Sequence, residues 1–236
     1  MIKVRRGDDR GRTKLDWLDS RHTFSFGDYH DPRHMGFSHL RVINEDRVVA
    51  GAGFGTHSHR DMEIVTYVLE GALAHKDSTG TSSVIRVGDV QRMSAGTGIS
   101  HSEYNASQDE PVHFLQIWIV PEQTGLKPGY EQRAFSFDKN RDRFILVASK
   151  EGSDGSVTVY QDVDVWAARF AARAEAAFRL KSSRQGYIHA ARGSLTLNGI
   201  RLDAGDGAAI SQEEILEFKA IDDAEMLVFD LLEKHA

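Results

Sequence analysis

Phe54-Gly55-Thr56-His57-Ser58-His59-Arg60-Asp61-Met62-Glu63 sets two imidazoles two residues apart and places a carboxylate of the same parity further along. On a strand alternate side chains share a face, so His57 and His59 reach a common point while Ser58 turns away. Alone, a His-x-His pair is more often hydrogen-bonded or surface histidine than a metal site. The second element is Ser94-Ala95-Gly96-Thr97-Gly98-Ile99-Ser100-His101-Ser102-Glu103-Tyr104-Asn105, in which His101 and Glu103 alternate in the same way after a glycine-rich turn. Three imidazoles with one carboxylate suit a borderline first-row divalent ion such as iron, nickel, manganese, cobalt or zinc, whereas calcium takes oxygen ligands only. Parity does not choose between Glu63 and Glu103 as the carboxylate.

Around these motifs, residues 39–43, 64–69, 84–87 and 114–120 form short β-branched apolar runs bounded by Gly, Asp, Asn or Pro. Such runs read as strands of an all-β sandwich or barrel with few helices. Pro121, Gly125, Pro128 and Gly129 interrupt the pattern and predict a connector over residues 121–140. Gly71-Ala72-Leu73 is echoed by Gly193-Ser194-Leu195, and Gly88-Asp89 by Gly205-Asp206, in the same order and each before a strand-like run. The echo implies two tandem β-sandwich domains, 1–135 and 136–236. Trp166, Phe170, Ala174 and Phe178 recur at helical spacing, yet Val157, Val159, Val163 and Val165 alternate just upstream. Residues 156–171 are therefore expected to be mostly strand.

Bulk properties narrow the partners. The 236 residues carry 35 acidic against 29 basic side chains, a net charge of −6 that repels a phosphate backbone. The one dense basic cluster, Lys3-Val4-Arg5-Arg6, reads as a solvated terminus, so direct nucleic-acid binding is not expected. With no cysteine, any metal must be held by nitrogen and oxygen. No secretory signal or membrane-length apolar run is present in the sequence, which makes the cytoplasm the expected address and a membrane role unexpected. No apolar stripe calls for a dimer, and a monomer is expected.

The ordered motifs resemble those of the cupin superfamily. Gly51, His57, His59, Glu63 and Gly71 fall almost on its first motif, and Gly88, Gly96, His101 and Asn105 almost on its second. The departures are an extra residue before Gly71, another before His101, and Ser94 where proline is usual. They point to the pirin family, which the chain resembles through Trp17-Leu18-Asp19-Ser20, His22-Thr23-Phe24-Ser25-Phe26, Met35-Gly36-Phe37, Leu40-Arg41-Val42-Ile43-Asn44, Tyr67-Val68-Leu69-Glu70-Gly71 and Gln116-Ile117-Trp118-Ile119. The resemblance implies a bicupin of jelly-roll domains with one divalent ion on His57, His59, His101 and Glu103. Iron(II) is the expected ion, with nickel, cobalt, manganese, copper or zinc as alternatives. In cupins generally the carboxylate ligand corresponds to Glu63, and in pirins to Glu103. Glu63 is then left outside the ligand set, or at the surface pairing with an arginine such as Arg60.

The same resemblance implies a quercetin 2,3-dioxygenase, which cleaves a flavonol with dioxygen and releases carbon monoxide, Glu103 being both ligand and candidate base. The alternative it implies is a redox-sensing regulator that binds a transcription regulator or a metabolic enzyme. A purely structural metal is a third reading. In the second half, counting from Gly193 and Gly205 sets Arg179, Lys181 and Phe218 where His57, His59 and His101 stand in the first, so that domain is expected to be metal-free. His189 is read as a packing or surface residue, and His75 and His113 as hydrogen-bonded structural residues. His22, His30, His34 and His39 are read as packing, capping or substrate contacts, and Phe24, Phe26, Phe37 and Phe54 as core or pocket wall.

Overall fold

The computed structural model describes residues 1–233, nearly all in strands and turns, with helix confined to three single-turn 3-10 segments among them. No helix among the described residues is long and apolar enough to cross a membrane. The chain forms two compact units, one of Gly11–Phe135 with Val157–Gln161, the other of Met1–Arg10, Ser136–Ser156 and the residues from Asp162 on. The boundary therefore differs from a simple division at 135/136 by two short exchanged pieces.

In the unit built on Gly11–Phe135, an antiparallel seven-stranded sheet runs in the spatial order Gly129–Ala134, Asp89–Ser94, Glu63–Glu70, Val112–Ile119, Leu40–Val48, Leu18–His22, Gly11–Lys14. A four-stranded sheet has the order Gly53–His59, Ile99–Asn105, Ala72–Asp77, Ser82–Arg86. Leu18, Val48, Val68, Val112 and Phe114 of the first sheet pack against Leu73 and Ile85 of the second, so the two sheets form a sandwich. All seven are buried, and each contributes roughly 1.5–3 kcal/mol through apolar area removed from water. This core fills one end of the sandwich. Towards the other end the inward positions become polar: Ser20 and His22, then Asn44 and Asp46, then Gln116.

Residues 121–140 are not connector throughout. Gly129–Ala134 pairs with Asp89–Ser94 as an edge strand, and the Tyr130 hydroxyl meets Ser83 Oγ at 2.5 Å and donates to Gln132 Oε1 at 2.7 Å. Pro128 is tolerated because it stands just before that strand, where no ladder hydrogen bond is needed. Val157–Gln161 joins this unit through the Tyr160 backbone N–H, which donates to Glu63 Oε2 at 3.3 Å, and through Gln161 Nε2, which donates to the Val120 carbonyl at 2.8 Å.

The other unit repeats the plan. Ile2–Arg5, Gly207–Ile210, Arg184–Arg192, Ala224–Leu232, Val163–Phe170 and Phe144–Ser149 lie side by side in that order, and Glu175–Arg179, Ile215–Ala220, Ser194–Leu197 and Ile200–Asp203 form a second sheet. Lys3-Val4-Arg5-Arg6 is thus no solvated tail: Lys3 faces Ala209 and Val4 faces Ala208 across a strand pair, with Val4 against the apolar core. Phe170, Phe178 and Phe218 meet in that core around Phe144, and residues 163–170 are strand as expected, since inward burial of alternate side chains overrides the Ala-rich helical propensity. Phe218, which the count from Gly205 set against His101, is buried among these rings, while Arg179 is exposed beside Glu214 and Lys181 pairs with Asp164.

Candidate metal centre

His57 and His59 come from the strand Gly53–His59, and His101 and Glu103 from its antiparallel neighbour Ile99–Asn105. His101 stands directly opposite His57, but Glu103 faces Phe54, so the register slips by one residue between the two pairs. The slip is a bulge, which bends the strand and re-aims its side chains. Gly53 makes the close approach possible: a Cβ there would lie 2.3 Å from the Glu103 carbonyl oxygen. Gly96, at φ +47°, makes the preceding turn, and a Cβ on it would sit 1.9 Å from the Leu126 carbonyl oxygen.

The three imidazoles converge. Ring centroids lie 4.8 Å apart for His57 and His59, 4.4 Å for His57 and His101, and 4.9 Å for His59 and His101. One nitrogen from each falls within 4.8 Å of the others. His57 Nδ1 donates to the Gly55 carbonyl at 2.8 Å, which fixes the tautomer and leaves Nε2 with its lone pair towards the cluster. His101 is 2% exposed, and neither of its ring nitrogens has a hydrogen-bond partner. Burial, reinforced by repulsion from its neighbours, pushes His101 down to about 3, and burial with His57 pushes His59 down to about 4. Both are therefore neutral at neutral pH, the state in which imidazole ligates a metal.

Glu103 is buried beside them and forms a second group with His101 and His75, again with one atom each within 4.8 Å. Gln116 Nε2 donates to both of its oxygens, at 3.0 and 2.9 Å, and Thr66 Oγ1 donates to Gln116 Oε1 at 3.0 Å. Burial pushes Glu103 up to about 7, against the pull of the Gln116 bonds and with a further push from Asp46. His75, read from the sequence as structural, does hydrogen-bond Asp77 through Nε2 at 2.9 Å, yet its ring also lies 5.4 Å from that of His101. Glu63 is neither exposed nor paired with Arg60. It is 1% exposed and accepts from Ser94 Oγ at 2.8 Å as well as from the Tyr160 N–H.

Imidazoles and Glu103 open onto a cavity of about 270 Å³, near the lower end of the range of about 300–1,000 Å³ usual for small-molecule pockets. Phe26, Phe54, Ile64 and Trp118 supply apolar wall, and Trp118 lies edge-on to both His59 and Phe26. Asp46 lines the same cavity at 5% exposure, pushed up to about 7 by burial and by Glu45, against a hydrogen bond with Ser20. His22 also lines it, bonded to Thr13 Oγ1 at 2.9 Å and to Asn44 Oδ1 at 2.8 Å. Sequence reasoning passed over Asp46 and Gln116. Their signal was weak but present, a polar residue at the core parity of an otherwise apolar strand.

A buried imidazole with neither ring nitrogen bonded, packed against two more imidazoles, loses about 1–3 kcal/mol for each uncompensated polar group unless something accepts its lone pair. A divalent cation does so, and this donor set fits one. The site is one for a divalent metal.

Comparison with known proteins agrees over the whole chain. The family profile described as Pirin matches residues 4–119, and one described as quercetinase C-terminal cupin domain matches residues 146–231. Quercetin 2,3-dioxygenase of Escherichia coli K12 is 46% identical over 98% of this chain and 99% of its own, and a putative quercetin 2,3-dioxygenase of Pseudomonas aeruginosa is 41% identical over 98% and 100%. The crystal structure of the bacterial pirin YhhW of E. coli in complex with nickel(II) superposes with a TM-score of 0.94 at 45% identity, covering 99% of this chain and 100% of that one. With both cupin halves matched and near-complete coverage of these relatives, the chain belongs to the pirin family.

Proposed function

We propose that the protein is a mononuclear metal-dependent quercetin 2,3-dioxygenase, with iron(II) as the ion and His57, His59, His101 and Glu103 as its ligands. The observation that carries the reading is His101, buried with both ring nitrogens unpartnered beside two further imidazoles in the lining of an aromatic-walled cavity. The relatives named quercetin 2,3-dioxygenase and the nickel-bound YhhW support it. When bound, the ion would supply Lewis-acidic stabilisation of the flavonol oxygen and the means to activate dioxygen.

The chain's own groups do the rest. Phe26, Phe54 and Trp118 form an apolar wall that accepts a planar aromatic ring and limits water at the reacting carbons. The Gly55 carbonyl holds the His57 ring in one tautomer. Gln116, itself anchored by Thr66, clamps the Glu103 carboxylate by both oxygens and so fixes its plane. Glu103 accepts the proton of the substrate hydroxyl on a carboxylate oxygen; burial pushes it up in the metal-free protein, but a cation beside it makes it a weaker base, so transfer requires a direct hydrogen bond from the hydroxyl. The test is reconstitution of metal-free protein with iron, nickel, cobalt, copper or manganese, following loss of the long-wavelength absorbance of quercetin together with oxygen uptake. Turnover with at least one ion, abolished in Glu103→Ala that remains folded, is expected. Absence of turnover with all five would overturn the proposal.

A further inference from the structure

Asp46 stands on Leu40–Val48 at the inward parity shared with Val42, Asn44 and Val48, opposite Ser20 of the neighbouring strand. It is 5% exposed, lines the cavity, and its Oδ1 has no hydrogen-bond partner. The imidazoles project from the four-stranded sheet, whereas Asp46 belongs to the seven-stranded sheet that forms the other wall. A carboxyl in such a place ordinarily serves an ion pair, but the charged groups that interact with Asp46 are two further acids, Glu45 and Glu103, and its hydrogen-bonding neighbour is Ser20. The polar groups flanking it are already engaged, His22 with Thr13 and Asn44, and Gln116 with Glu103 and Thr66. Asp46 is left lining the cavity with a buried acceptor that no protein group engages.

We infer that Asp46 is a substrate-recognition residue, its Oδ1 accepting a hydrogen bond from a phenolic hydroxyl of the flavonol other than the one beside the imidazoles. The inference rests on the flavonol reading of the cavity and deepens it: the ligands favoured are planar aromatics hydroxylated at two separated positions. A site built around a buried acceptor discriminates strongly against an analogue without the matching hydroxyl, because the acceptor is then desolvated with no partner.

The experiment measures equilibrium binding of quercetin and of 3-hydroxyflavone, which keeps only the hydroxyl beside the imidazoles, to nickel-loaded protein without oxygen. Kaempferol and galangin then locate the hydroxyl concerned. Wild type is expected to bind quercetin about tenfold or more tightly than 3-hydroxyflavone. In Asp46→Ala that ratio falls to within about twofold, mainly through weaker quercetin binding, with affinity for 3-hydroxyflavone little changed. Asp46→Leu, of similar volume, repeats the comparison should the alanine variant lose metal or fold. An unchanged ratio, equal weakening of both ligands, or a wild type that does not discriminate would overturn the inference. Binding is read without turnover, so a ratio that responds to Asp46 in a protein that cleaves no flavonol sinks only the catalytic reading.

Discussion

Gln116→Met tests how Glu103, the proposed ligand carboxylate, is tuned. Methionine has nearly the same length and flexibility but donates no hydrogen bond, so the variant removes both Gln116 bonds to Glu103 while leaving the cavity filled. Both contacts come from one amide nitrogen and act together as a single charge-assisted interaction of about 1.5–3 kcal/mol, and one pKa unit corresponds to about 1.36 kcal/mol. Gln116 favours the anion, so its loss moves Glu103 further upward, by about one to two units from about 7. At pH 7 the ionised fraction in metal-free protein then falls from roughly one half to between a tenth and a hundredth, and since the metal competes with the proton, affinity drops roughly fivefold to fiftyfold. The deficit should close as pH rises to about 10, where both proteins are ionised. Nickel(II) affinity measured against a chromophoric chelator across this range reads the effect directly. A deficit that persists unchanged at high pH would show that Gln116 acts by position and not by charge, and no deficit at all would refute the reasoning.

Three further outcomes are expected. Asp46 titrates at about 7 when folded against an ordinary 3.8, so its contribution to the stability of metal-free protein is intact below about pH 4 and lost as pH rises through 7. Asp46→Asn should therefore stabilise metal-free protein at about pH 8 by up to about 4 kcal/mol in urea unfolding and by much less at about pH 4, and an equal effect at both would contradict the burial argument. His101 belongs to both ligand triads, so His101→Ala should lose the thermal stabilisation that saturating metal gives wild type, about 2.7 kcal/mol at a hundredfold excess over Kd; retained stabilisation would place the ion elsewhere. Gly96→Ala puts a Cβ on the Leu126 carbonyl at positive φ, and a loss of about 2 kcal/mol or more should appear in denaturant unfolding, a neutral effect arguing that the turn can relax.

The strands and the three imidazoles were legible because both rest on a period of two that any stretch of sequence displays. His57, His59 and His101 needed only the rule that alternate residues share a face, and the structure brings them together. The choice between Glu63 and Glu103 was not legible from spacing, since both have the right parity. What distinguishes the two is the bulge that sets Glu103 against Phe54, its grouping with His101, and the hydrogen bonds from Ser94 and Tyr160 that engage Glu63. Asp46 and Gln116 escaped notice because a polar residue at core parity is read locally as a weakened strand, and only the facing sheet shows that it borders a cavity. Gly129–Ala134 was hidden by Pro128 and the surrounding glycines, which are turn signals whether a strand follows them or not. Ile2–Arg5 was hidden by its basic composition, because its partner Gly207–Ile210 lies some two hundred residues away.

The central claim is that this site inserts dioxygen into a flavonol. Its most direct measurement is mass spectrometry of the products when metal-loaded protein turns over quercetin under heavy-isotope dioxygen. A ring-opened ester carrying both labelled oxygen atoms is expected, with one unlabelled carbon monoxide released for each quercetin consumed. Product carrying one labelled oxygen or none, or quercetin loss without carbon monoxide, would contradict it.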